Sequence, residues 1–143
     1  MKTRFYLGSA VAMLTLGGCS APAESSGNGF PEASLLAMAS ESGSYRVEVR
    51  TAPDQPPTRG DVSVQLTVTN TDTGAPGTGL GLKVVPWMPA MGHGTSVKPT
   101  ISEPEPGVYQ LDHLILFMPG DWQIRTELDG TVSDHVTPTL EIR

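Results

Sequence analysis

A single cysteine, Cys19, excludes any disulfide within the chain. Positive charge is scarce, with nine Lys and Arg against fifteen Asp and Glu, a net charge of −6. No basic patch exists to neutralise phosphates, so nucleic acid is not expected as a partner. Only one long apolar run occurs, Phe5 to Leu16, and it is too short to span a bilayer. Catalytic motifs are missing as well: the chain has no Gly-x-Ser-x-Gly elbow, no His-Glu-x-x-His and no Gly-rich phosphate loop. Asp112 and His113 are neighbours in a strand pattern, which puts them on opposite faces and prevents a dyad. The chain is therefore not expected to be an enzyme. What is abundant is turn chemistry, with sixteen Gly and thirteen Pro, a composition that favours many short strands.

The amino terminus has the form of a targeting signal. Lys2 and Arg4 precede the apolar run, and Leu16-Gly17-Gly18-Cys19 resembles a lipobox, in which the cysteine becomes acylated after cleavage. Residues 1–18 are thus expected to be removed, with Cys19 anchoring the protein to a membrane in the cell envelope. Ser20, where an Asp would signal inner-membrane retention, favours the periplasmic face of the outer membrane. Residues 19–42 are rich in Ser, Gly, Ala, Glu and Pro and read as a flexible tether. Within it, Ala33 to Ala39 is the one segment able to make a helical turn.

From residue 43 to residue 143 the apolar period becomes two, the mark of half-buried strands. Tyr45, Val47 and Val49 alternate with charged residues, and Val62, Val64, Leu66 and Val68 with polar ones. Leu80, Leu82 and Val84 begin a third strand, and a weak one lies near Val97 to Ile101. Tyr109, Leu111, His113, Ile115 and Phe117 share one face of a long strand. Pro119-Gly120 turns it into a hairpin with Trp122, Ile124 and Leu128, and Thr139 to Ile142 closes the domain. About seven strands with turns between them describe an all-β, immunoglobulin-like antiparallel sandwich, with an eight-stranded barrel as the other way to close. The expected core is Val47, Val49, Val64, Leu66, Val68, Leu82, Val84, Tyr109, Leu111, Ile115, Trp122, Ile124 and Leu140.

The soft side chains collect in two places. Pro86 to Gly94 reads Pro-Trp-Met-Pro-Ala-Met-Gly-His-Gly, and its prolines and glycines exclude a regular strand. It holds Met88, Met91 and His93, with Trp87 beside them, and Met118 stands downstream at the Pro119-Gly120 turn. Two thioethers and an imidazole suit Cu(I) as the bound cation, with His113 as a further candidate and Trp87 as a lid for the cation. Packing is the rival explanation, because Met fills the irregular gaps a Pro-rich loop leaves. An interaction module, whose Met-rich end contacts a membrane transporter or an oxidase-assembly partner, is the alternative function.

The stretches Met-Pro-Ala-Met-Gly-His-Gly, Pro-Gly-Val-Tyr and Leu-x-Phe-Met-Pro-Gly-Asp-Trp-Gln-Ile resemble the YtkA-like family, which includes relatives of FixH. The resemblance implies a secreted or membrane-attached β-sandwich with no established enzymatic activity. It also implies a link to copper handling or to assembly of copper-containing oxidases, carried at Met88, Met91, His93, Met118 and Trp122. A lipobox in place of the transmembrane anchor of FixH separates this chain from that relative.

Overall fold

The computed structural model describes residues 29–143. In chain order its strands are β1 (Leu36–Ala39), β2 (Tyr45–Ala52), β3 (Gly60–Asn70), β4 (Gly81–Met88), β5 (His93–Gly94), β6 (Thr100–Glu105), β7 (Val108–Leu116), β8 (Gly120–Asp129), β9 (Ser133–Val136) and β10 (Thr139–Ile142). They form two five-stranded antiparallel sheets, a β-sandwich without helices among the described residues. The first sheet runs β1-β2-β3-β7-β6 and the second β10-β8-β4-β5, with β9 following β10's side of β8.

Alternation drives this arrangement. In β2 and β3, Val47, Val49, Val64, Leu66 and Val68 are all fully buried while their polar neighbours face outward. From the second sheet Trp122, Ile124, Leu128 and Leu140 meet them. Burying each such side chain contributes about 1.5–3 kcal/mol. A polar clasp joins the sheets at one side. The Asp134 carboxylate of β9 accepts from the Ser42 N–H (3.0 Å), the Ser42 hydroxyl (2.6 Å) and the His135 N–H (2.8 Å). The β1–β2 turn is thereby tied to the second sheet, and the Glu41 N–H adds a bond to the His135 carbonyl, 2.8 Å.

Three expectations are corrected. Residues 33–39 are not a helical turn within a tether. Leu36 to Ala39 pair with Arg46 to Val49, Leu35 donates to the Val49 carbonyl at 2.7 Å, and Phe30 is 2 % exposed. So short a helix has no partners for its termini, whereas the open edge of β2 supplies hydrogen bonds at once. The folded unit therefore begins by Phe30, ahead of the boundary expected between residues 42 and 43. The signal at residues 1–18, Cys19 and the first part of the tether lie outside the described residues.

The long strand β7 does not keep one face. Val62 pairs with Leu114 and Val64 with Leu111, so Asp112 and His113 together oppose Ser63 alone. This is a β-bulge, with His113 at φ 63°. Tyr109 and Leu111 point inward as expected, but past the bulge Leu114 and Leu116 are inside while His113 and Phe117 are exposed. Ile115 is only half-buried and leaves the expected core, while Leu82, also half-buried, packs against its rim. The third correction concerns the hairpin. β7 and β8 belong to different sheets, and residues 117–119 cross from one to the other over the end of the sandwich.

Candidate metal centre

β4 runs straight through Pro86 and Trp87 to Met88, against the expectation that no strand could. The reason is the direction Pro86 faces. A β-carbon on Gly94 would collide with the Pro86 carbonyl oxygen, so that carbonyl is turned toward β5. In a strand a residue's nitrogen and carbonyl lie on the same side. The missing N–H of Pro86 therefore falls on the edge side of β4, and no bond to β8 is lost.

At Met88 the chain turns back. The Met88 carbonyl accepts from the N–H groups of Met91 (3.2 Å) and Gly92 (3.0 Å), and His93 and Gly94 then pair with Met88 and Trp87. Residues directly opposite in a ladder share a face and stand about 4.5–5.5 Å apart at Cβ. The His93 side chain thus leaves the sheet on the same face as the Met88 thioether. Met88 is buried at 4 % exposure and reaches the start of β8, where a β-carbon on Gly120 would lie 2.8 Å from its Cε. Two residues before Gly120 stands Met118, half-buried against the core, whose carbonyl accepts from the Trp122 indole at 2.9 Å. Met91, at the tip of the turn, is 52 % exposed, and His93 is exposed as well.

The hairpin therefore places Met88, Met91 and His93 on one turn, and the crossing between sheets brings Met118 to the same end. Two expected members do not join them. Trp87 projects from the opposite face of β4, where the Arg125 guanidinium lies over its ring at 4.9 Å from the centroid. The lid expected of Trp87 is thus on the wrong side, and its π face already holds a cation. His113, turned outward by the bulge, meets the Asp61 carboxylate at 2.9 Å on the outer face of the first sheet. The hydrogen bond His113 makes to the Asp61 carboxylate, together with that carboxylate's charge, raises the His113 pKa above the ordinary value. Trp122 has a packing role, filling the core and fixing the Met118 backbone.

Among the described residues no group of three or more His, Cys, Asp and Glu side chains gathers as a metal site. The Met and His side chains at this end offer thioether sulfur and one imidazole, donors that suit a soft cation. A family model described as YtkA-like matches residues 39–127, more than half of the chain. The chain belongs to the YtkA-like family. No curated protein and no solved structure matches it. In this YtkA-like chain the matched span ends within β8 and takes in Met88, Met91, His93, His113 and Met118. Gly94 and Gly120 were expected only as turn residues, whereas their lack of a side chain lets β5 and Met88 approach closely. Their position directly beside the Met and His residues was the available signal.

Proposed function

We propose that this chain is a non-catalytic, lipid-anchored envelope protein that carries Cu(I) as cargo on Met91, His93 and Met118, with Met88 behind them. The observation that carries the reading is the pairing of Met88 with His93 where Met88 packs against Gly120, next to Met118. Soft sulfur with one imidazole suits a low-coordinate Cu(I). Cu(II) and zinc ordinarily draw more imidazole, thiolate or carboxylate than this end offers, and both are expected to bind weakly. Cys19 would hold the protein at the membrane, on the periplasmic face of the outer membrane, where a copper transporter or oxidase-assembly protein gives or takes the ion.

Titration with Cu(I) against a competing chelator tests the reading. Wild-type protein is expected to bind at about micromolar concentration or below. The double change Met91→Leu with His93→Ala is expected to lose most of that affinity while leaving the unfolding midpoint unchanged, since Leu roughly conserves the volume of Met. No Cu(I) binding would overturn it. The interaction module would then stand, supported by the exposure of Met91 and by Phe117, which at 67 % exposure leaves an aromatic side chain in solvent at the same end.

A further inference from the structure

Four outer edges bound the two sheets, and three are blunted. β1 is four residues long. Along the outer side of β8, β9 and β10 are two four-residue pieces separated at Pro138. β6 contains Pro104 and a register irregularity between Ser102 and Glu105. Short strands, proline and irregular pairing are the means by which sheets protect open edges.

The β4 edge is different. β5 pairs only with Trp87 and Met88, so Gly81 to Pro86 have β8 on one side and no strand among the described residues on the other. Because Pro86 turns its backbone toward this edge, the alternation along the strand turns Val84 and Leu82 the same way. Each offers an N–H and a carbonyl. Beside them lies a cavity of about 300 Å³, bounded by Leu82 to Val85 on one wall and by Lys98, Pro99 and Ile101 on the other. Apolar surface continues around it, with Val85 52 %, Val97 45 % and Ile101 37 % exposed. Residues 29–143 contain two lysines, Lys83 and Lys98, and both line this cavity; the Lys83 ammonium also meets the Glu127 carboxylate at 3.2 Å, so Lys98 is the main positive charge for a partner.

Unpaired backbone, an apolar slot and two positive side chains meet in one place on a chain that is acidic overall. We propose that the β4 edge accepts an extended acidic segment of a partner protein, which adds a strand to the second sheet. Its aliphatic side chains fill the slot between β4 and Ile101, and its carboxylates face Lys83 and Lys98. A second copy of this chain is disfavoured as the occupant, because its own Lys83 and Lys98 would be brought against these. The first described residues lead into β1, at the edge of the first sheet farthest from β6. The site is independent of the Met and His end, and Cu(I) binding neither supports nor opposes it.

The test uses the full-length chain and a fluorescent peptide of about ten alternating Val and Glu residues, with a Val and Lys peptide as its counterpart. The acidic peptide is expected to bind and the basic one not to. Lys98→Glu is expected to weaken binding by about tenfold or more. Leu82→Pro, which deletes one outward N–H, is expected to do the same. Should Leu82→Pro fail to fold, Lys98→Glu in its exposed connection still decides the matter. Amide exchange at Leu82 and Val84 should be fast in the free protein and slow with peptide bound. Absence of binding, equal binding of both peptides, or full affinity in Lys98→Glu would overturn the proposal. Slow exchange at Leu82 and Val84 before any peptide is added would also overturn it, since the edge would already be covered by this chain or its copy.

Discussion

Gly94 is the residue on which the Met88–His93 pairing depends, because any β-carbon there meets the Pro86 carbonyl. Gly94→Ala is expected to push β5 from β4 and to destabilise the protein by about 1–3 kcal/mol, read from the denaturation midpoint. An unchanged midpoint would show that β5 yields freely. Asp134 is a residue of a different kind, a carboxylate buried at 3 % exposure. Burial by itself raises its pKa, but the hydroxyls of Ser40 and Ser42 and the N–H groups of Ser42 and His135 outweigh that and bring it from 3.8 down to about 2. A depressed carboxylate adds stability above its unfolded pKa, and that stability disappears as pH falls through the folded value. The contribution is about 2 kcal/mol, fully present above pH ~4 and lost toward pH ~2. Asp134→Asn is expected to lower stability at neutral pH and to flatten the acid limb of a stability profile. A variant whose acid limb matches the wild type would show that another group controls it.

The element that changes the domain boundary is β1. Removing residues 29–40 takes away Phe30 and the whole of β1, including Leu36 and Met38 where they pack on the core. A loss of about 3 kcal/mol or more is expected in urea unfolding; a loss below about 1 kcal/mol would return this segment to the role of a tether. Strands β2, β3 and β8 were legible because apolar residues occupy a single parity along each of them. β7 was not. From Leu111 onward the chain reads Leu-Asp-His-Leu-Ile-Leu-Phe, with apolar residues on both parities, so period two cannot say where the face switches. The switch is fixed by partners elsewhere, the Ser63 hydroxyl donating to Asp112 at 2.7 Å and Asp61 meeting His113. β4 was cut short at Pro86 for a related reason. A proline ends a strand only when its nitrogen faces a neighbour, and sequence does not reveal which way it faces. The same gap hid the side on which Trp87 stands. That Met88, Met91 and His93 share one turn was legible from their spacing, while the route by which Met118 reaches the same end needed the crossing between sheets.

The molecule as a whole has two unlike ends. At one, the Tyr109 hydroxyl donates to the Gly77 carbonyl at 2.7 Å and accepts from the Leu80 N–H at 2.9 Å, closing the sandwich with a buried polar staple. At the other stand Met88, Met91 and Met118, and the Arg143 carbonyl accepts from the Arg59 N–H at 3.2 Å. Between these ends the second sheet carries both indoles, one on each face. Trp122 is dry and bonded to the Met118 backbone, whereas Trp87 is half-buried beneath Arg125. The protein therefore contains its own pair of lamps. In Trp87→Phe the remaining emission comes from Trp122 alone, and Cu(I) arriving at Met118 is expected to quench it in step with the titration. Light from Trp122 that stays constant while copper is taken up would place the ion elsewhere. Loading could then be followed without any label attached near the donors.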